Sequence, residues 1–227
     1  MRRFPVEILP VADQATALSR RASHHLLHVL RLGTGARILL FDGRGMQVEA
    51  VVQDVTESLA VVRATSTPSR AAPTHALHLL LGQLKGPAMD LAIRMATEAG
   101  ATEIHPMRCA RSVAKGDRRD RWHRIAAAAA GQCGRADVPQ IHGPSLMSEA
   151  LLRPGDMVRV VAAFGGVPLH RAVGPAAVVI GPEGGLTPHE IEEAMSGGYE
   201  AVTLGSWTLR ADTAVAVALA GIAPNAP

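Results

Sequence analysis

The sequence predicts an α/β protein in two parts: a small β-rich barrel over residues 1–70 and a larger domain with a mainly parallel sheet over residues 74–227. Three observations carry this. The first part holds short apolar runs divided by turn signals at close spacing, the pattern of a small barrel. From His75 onward, apolar runs alternate with amphipathic stretches, as strands do when helices join them and cover both faces of the sheet. Two of the later runs end in glycine-bearing loops that each open a helix. Loops of this kind at the carboxyl ends of neighbouring strands form a ligand crevice.

Taken in order, a helix over residues 22–30 precedes an apolar strand at 36–41, closed by the turn signal Asp42-Gly43-Arg44-Gly45. Residues 46–55 alternate in hydropathy and 59–64 form another short strand. The stretch 68–73, bounded by Pro68 and Pro73, reads as a linker. A buried strand follows at 75–84, a helix at 87–99 stopped by Gly100, a strand at 103–107 and a helix at 118–132. After an irregular Pro/Gly segment come a helix at 146–152, strands at 157–163 and 176–180, a helix at 187–196, a strand at 201–204 and a helix at 211–222. Residues 214–219 alternate like a strand, but the dominance of alanine and an Asp212 placed in the first turn favour helix.

The loop Gly181-Pro182-Glu183-Gly184-Gly185-Leu186-Thr187-Pro188 is the most specific feature. Thr187 suits an N-cap, Pro188 the first helical position, and Glu190 stands three residues after the cap, completing a capping box. Leu186 and Ile191 are placed as a hydrophobic staple. The helix start is therefore fixed, and residues 181–185 form a tight loop whose glycines admit a ligand close to the backbone. The spacing fits neither the dinucleotide nor the phosphate-loop pattern, and no lysine stands nearby. Glu183 favours a cationic or hydroxyl-bearing ligand over an anion. The second loop, Leu204-Gly205-Ser206-Trp207-Thr208-Leu209-Arg210, opens the last helix.

The chain is 48% hydrophobic and 19% charged, ordinary for a soluble globular protein. The N-terminal residues lack an apolar core of signal-peptide length, and the longest apolar run is too short to span a bilayer, so a cytosolic protein is expected. Cys109 and Cys133 imply neither a disulfide framework nor a zinc site, and both read as buried small hydrophobes. The formal net charge of +3 hides an asymmetry: residues 1–140 carry 19 Lys and Arg against 12 Asp and Glu, whereas residues 141–227 carry 4 against 8. Eight basic residues fall within 108–135, Lys115 among them, against two acidic ones, Asp117 and Asp120. A basic half beside an acidic half suggests a polyanion-binding surface next to a differently charged site, with a solvated face as the alternative. Aromatic residues make up 3%, which argues against rows of rings stacking single-stranded bases. His24, His25 and His28 include an i, i+4 pair, but nothing completes a metal site, and a surface or RNA-facing role is the better reading. Trp122 lies on an amphipathic helix and reads as core.

Over nearly its whole length the sequence resembles the bacterial 16S ribosomal RNA uracil-N3 methyltransferases of the SPOUT superfamily. The residues that carry the resemblance are Met1-Arg2-Arg3-Phe4, His24-His25-Leu26-Leu27-His28-Val29-Leu30-Arg31, Lys85-Gly86, Ala96-Thr97-Glu98, Arg111-Ser112-Val113, Arg121-Trp122, Gln132-Cys133-Gly134-Arg135, the Gly181 loop, and Leu204-Gly205 with Leu209-Arg210. The resemblance implies a PUA-like RNA-binding barrel over 1–70 and a SPOUT domain with a deep trefoil knot over 74–227. General topology rules alone would not lead to a knot. It further implies a homodimer, S-adenosyl-L-methionine as cofactor, and methyl transfer to N3 of a uridine in 16S ribosomal RNA of the small subunit. A non-catalytic RNA-binding or ribosome-assembly factor that retains the fold is the competing class.

The implied cofactor-binding residues are Ala163, Gly181, Glu183, Gly184, Gly185, Leu204, Gly205 and Leu209. Arg210 and Glu183 are the implied catalytic pair. Arg210 would stabilise charge on the uracil oxygens, with loop structure or phosphate binding as its alternative; Glu183 would orient the cofactor or accept the N3 proton. Arg2, Arg3, His25, Arg31, Arg108, Arg111, Arg121 and Arg135 are the implied RNA contacts. Ser206-Trp207 stands where the family pattern carries Pro-Arg, and Met95 where it carries Lys.

Overall fold

The structure is a computed structural model that describes residues 1–223 apart from Ala72, Thr74 and Lys115. Part of the expected linker, the first residue and the last four of the expected second domain, and one member of the basic block thus lie outside the described residues. The chain forms two compact units. The first comprises residues 1–73 together with 127–138, the second residues 74–126 and 139–227. This division differs from a single cut near residue 70.

The first unit is built from strands β1 (Arg2–Pro5), β2 (Ala15–Ala17), β3 (Arg37–Phe41), β4 (Met46–Thr56), β5 (Leu59–Ala64) and β6 (Ser69–Arg70). They form one sheet in the order β1-β3-β4-β5-β2, with β6 paired to β4. All pairs are antiparallel except β1 with β3. Helix α1 (Arg20–His24) runs into a π-helical turn at His25–Val29, so the expected single helix has two parts. Alternation places Val48, Ala50 and Val52 of β4 and Ala60, Val62 and Ala64 of β5 in one core with Phe4, Leu26 and Leu40. Ser23, fully buried, is satisfied from both sides: its hydroxyl donates to Leu18 O at 3.3 Å and accepts from Ala60 N at 3.0 Å. Strands β1 and β2 are too short and polar for hydropathy to reveal, and the expected linker contains β6.

Residues 127–138 join this unit through the backbone. Gly45 N donates to Ala136 O and Val138 N to Gly43 O. Ala136 is buried with Leu39 and Phe41.

The second unit contains β7 (Leu77–Gly82), α2 (Gly86–Glu98), β8 (Glu103–Arg108), α3 (Arg119–Cys133, whose last turns count with the first unit), β9 (Gln140–Ile141), β10 (Ser145–Leu146), α4 (Met147–Leu151), β11 (Val158–Pro168), β12 (Ala176–Ile180), α5 (Pro188–Ser196), β13 (Glu200–Thr203) and α6 (Ala211–Ile222). Every strand pair is parallel, in the order β10-β8-β7-β12-β11-β13, with β9 also along β8. The mainly parallel sheet read from the sequence is present. Strands β7 and β12 are buried at every residue, as central strands covered on both faces must be. Helices α2 and α6 pack together, with α6 against β12 and β7, while α4 and α5 pack with each other against Leu80, Val161 and Val179.

Two differences from expectation concern strands. The Pro/Gly segment after α3 supplies the two-residue strands β9 and β10. Strand β11 extends to Pro168: Ala162 and Val167 both face Val202 of β13, and residues 163–166 bulge out between them. Tertiary pairing to β13, which hydropathy does not encode, carries the strand past Ala163. The last helix is helical throughout.

Candidate active site

The carboxyl ends of β11, β12 and β13 surround a cavity of about 740 Å³ in the second unit. Its walls are the β11 bulge at 162–164, the loop after β12 at 180–186 and the segment 203–212 between β13 and α6. It falls within the usual size range of a small-molecule site, about 300–1,000 Å³. The expected cofactor residues Ala163, Gly181, Glu183, Gly184, Gly185, Leu204, Gly205 and Leu209 all line it, as do the expected catalytic residues Glu183 and Arg210.

Several contacts fix the Gly181 loop. At its far end Thr187 caps α5: its hydroxyl accepts from Glu190 N at 3.2 Å, and Glu190 Oε2 accepts from Thr187 N at 2.8 Å. The other carboxylate oxygen of Glu190 accepts from Ala110 N at 2.7 Å, so the capping box also binds the segment after β8. Glu190 is only 7% exposed, and these bonds are what allow its burial. Glu183 is exposed, and its Oε1 accepts from the backbone N–H of Lys85 at 2.8 Å, tying the loop to the start of α2. Arg111 donates to Gly184 O at 3.0 Å. Gly185 holds φ +72°, where a side chain would be strained.

Gly82 supports the loop from below and was not singled out by its sequence. A Cβ on Gly82 would stand 2.5 Å from Pro182 N and 2.6 Å from Pro182 Cδ. The loop thus rests on bare backbone at the end of β7. A lone glycine closing an apolar run carries no local signal for this.

Arg210 precedes α6 with its side chain 80% exposed, and its Nε lies 3.4 Å from Asp212 Oδ1. Asp212 is buried at the mouth of α6, where it also accepts from Thr213 N at 2.9 Å. A carboxylate in the first turn of a helix is favoured by the helix dipole, and here it orients an arginine at the cavity rim. Phe164 and Trp207 line the same rim and are 71% and 83% exposed. Among the described residues lining the cavity there is no lysine.

The expected RNA-contacting residues divide into two sets. Arg2, His25, Arg31 and Arg108 are exposed, and the rings of His25 and Phe4 meet edge-on at 6.1 Å. Arg3, in contrast, is half-buried: it donates to Gln47 Oε1 at 2.6 Å, lies over the Phe41 ring, and is lowered from its ordinary pKa chiefly by burial. Arg135 is paired with Asp137, with Nε 3.1 Å from Oδ1, and its side chain is 12% exposed. Arg121 forms a two-nitrogen pair with Asp90, its Nη2 2.6 Å from Oδ2, which raises its pKa through that hydrogen bond. These three guanidinium groups are engaged within the fold. Arg111 has its own intramolecular role on the Gly181 loop.

Trp122 is core, at 4% exposure, as its helix position suggested. Cys109 is buried and desolvation pushes its thiol up to about 12. Cys133 does not follow the expectation of burial. It is exposed, because it ends α3 on the side turned to solvent. His24, His25 and His28 are all exposed.

A family model described as an RNA methyltransferase domain matches residues 70–223, and one described as an RNA methyltransferase PUA domain matches residues 18–64. The chain belongs to the RNA methyltransferase family. Within that family it is similar to the ribosomal RNA small subunit methyltransferase E of Mycobacterium tuberculosis, at 31% identity over 96% of this chain and 90% of the relative. It is similar also to that of Bacillus subtilis, at 30% identity over 98% and 96%. Among solved structures, a ribosomal RNA small subunit methyltransferase E from Neisseria gonorrhoeae bound to S-adenosyl methionine matches with a TM-score of 0.88 and 28% identity, covering 97% of this chain and 95% of that one. A methyltransferase from Legionella pneumophila in complex with the same cofactor matches with a TM-score of 0.85 and 25% identity, over 96% and 94%. The sheet and cavity of this RNA methyltransferase therefore belong to a fold whose solved members include cofactor complexes.

Proposed function

We propose that the chain is an S-adenosyl-L-methionine-dependent ribosomal RNA methyltransferase of the SPOUT superfamily, acting on N3 of a uridine in 16S ribosomal RNA of the small subunit. The observation that carries the reading is the cavity enclosed by three strand-end segments, with glycine backbone on one wall and Leu204 and Leu209 on the other. The donor set fits the cofactor. Backbone groups and leucines suit adenosine, and the carboxylates of Glu183 and Asp212 suit a sulfonium cation, the two lining arginines being held by Gly184 O (Arg111) and by Asp212 (Arg210). Relatives named ribosomal RNA small subunit methyltransferase E support the substrate class, and solved relatives with bound cofactor support the ligand.

When bound, the cofactor supplies an electrophilic methyl group; orientation and electrostatics are left to the protein. Ala163, Gly181, Gly184, Gly185, Leu204, Gly205 and Leu209 hold it. Glu183 orients it, its carboxylate anchored by Lys85 N. Arg210, steered by Asp212, faces the uracil oxygens, where its charge would stabilise a base deprotonated at N3. The target base is unpaired or flipped, since pairing hides N3. Arg2, His25, Arg31 and Arg108 contact the RNA, and Arg111 does so from its place beside the loop. Arg3, Arg121 and Arg135 support the surface through their internal partners. A trefoil knot, a homodimer and a cytoplasmic location complete the reading.

Calorimetry with S-adenosylmethionine tests the site. Saturable binding that Leu204→Asp weakens is expected. No binding at millimolar cofactor would instead favour an RNA-binding or assembly factor.

A further inference from the structure

At the other end of the same sheet, a histidine–glutamate cluster lies outside everything assigned above. His78 and Glu103 are register partners on β7 and β8, and His105 stands two residues beyond Glu103. Side chains alternate along a strand, so all three project from one face. One ligand atom from each can be chosen so that all lie within 4.8 Å of one another. His105 Nε2 is 3.3 Å from Glu103 Oε2, and His78 Nε2 is 3.5 Å from Glu103 Oε1. Ligands about 2.0–2.1 Å from a tetrahedral zinc stand about 3.3 Å apart, so these separations need little adjustment.

The hydrogen bonding of the cluster is incomplete without a further group. Both ring nitrogens of His105 and Nδ1 of His78 are buried without a hydrogen-bond partner, and His105 is only 2% exposed. Buried polar atoms in a folded protein are normally satisfied, so each of these requires an explanation. A fourth residue completes the arrangement. His142 Nε2 lies 2.7 Å from Glu103 Oε2, and its Nδ1 is 3.4 Å from Arg153 Nη1. With Arg153 donating to Nδ1, the imidazole proton sits on Nε2 and points at the carboxylate, which is how an outer residue holds a ligating carboxylate in place. The Glu103 and His142 side chains are 31% and 20% exposed, leaving a route of entry from solvent.

We propose that His78, Glu103 and His105 bind a divalent transition-metal ion of the zinc class, with His142 orienting Glu103. Two imidazoles and a carboxylate form a ligand set that suits such ions and leaves one position for water. His78 lies four residues before Gly82, or about 13 Å down the strand from the Gly181 loop at ~3.3 Å per residue. At that distance the ion takes no part at the cavity; it fastens β7 to β8.

The test is a zinc titration of the full chain against a chromophoric chelator, paired with cobalt absorption spectra and melting curves. One zinc per chain is expected, with a melting temperature that rises with zinc concentration. His78→Gln and Glu103→Gln should abolish tight binding, and His142→Ala should weaken it about 10–100-fold. A control with both His24→Ala and His28→Ala should bind as wild type does. Cobalt should give tetrahedral or five-coordinate bands without thiolate charge transfer, a readout on the wild-type chain that needs no variant to fold. Absence of stoichiometric zinc, affinity that tracks His24 and His28, or thiolate charge transfer from Cys133 would each overturn the assignment.

Discussion

Replacing Gly82 with alanine adds one methyl group, and the structure sets its consequence. The new Cβ would meet Pro182 N at 2.5 Å, Pro182 Cδ at 2.6 Å and Gly181 C at 3.0 Å. Carbon contacts are favourable at about 3.5–4.0 Å, so the loop must retreat by about 1 Å. It cannot do so freely, because Glu183 is bonded to Lys85 N and Arg111 to Gly184 O. Overpacking of this kind costs about 1–3 kcal/mol, and for a chain of this size each kcal/mol lowers the melting temperature by about 2–4 °C. A drop of about 2–12 °C follows. Displacement of about 1 Å at a site that positions reactants costs on the order of 100-fold in rate. Calorimetry with S-adenosylmethionine, a methyl-transfer assay and a melting curve read the three effects. Gly155→Ala, whose Cβ would meet nothing within 4 Å, is the control. If Gly82→Ala melts, binds and turns over as the control does, the Gly181 loop does not depend on this contact and the reasoning is wrong.

Glu183→Ala removes the acceptor for Lys85 N–H, whereas Glu183→Gln keeps a carbonyl oxygen there; cofactor affinity should fall more in the alanine variant. Equal affinities in wild type and both variants would remove Glu183 from the cofactor site. A thiol reagent near pH 8 should label Cys133 alone in the folded chain and both cysteines after denaturation; rapid labelling of Cys109 would contradict its burial. Because folding raises the Cys109 pKa from 9.0 to about 12, its contribution to stability is complete below about pH 9 and lost as pH rises toward 12. Denaturation midpoints of Cys109→Ala and wild type should converge over that interval. Arg2→Ala and Arg31→Ala should each weaken binding to a 16S ribosomal RNA fragment and reduce the salt-dependence slope by ~0.7–0.9. An unchanged slope in both would remove them from the RNA surface.

The capping box at Thr187 and Glu190 was legible because both members lie within one turn and the signal is local. The two glycine loops were legible because apolar runs mark the strands before them. What escaped depends on partners distant in sequence. Nothing in Val158–Pro168 shows that residues 163–166 bulge, since the bulge is set by pairing with β13. The buried role of Asp212 depends on where α6 sits, and the support from Gly82 depends on Pro182 a hundred residues later. Arg3 and Arg135 were implied as RNA contacts, but their partners Gln47 and Asp137, which engage both within the fold, could not be read from the sequence. The cluster around Glu103 and His105 was invisible because His78 and His142 are distant in sequence: the register of β7 with β8 brings in His78, and the backbone bond from His142 N to Ile104 O brings in His142.

The most direct test of the central claim is nucleoside mass spectrometry of 16S ribosomal RNA from a strain lacking the modification, after incubation as small subunits with this chain and S-adenosylmethionine carrying a labelled methyl group. One labelled 3-methyluridine per RNA is predicted, and it should disappear when Arg210 is replaced by alanine. Absence of label under conditions where the cofactor binds, or label on a different base or atom, would contradict the account.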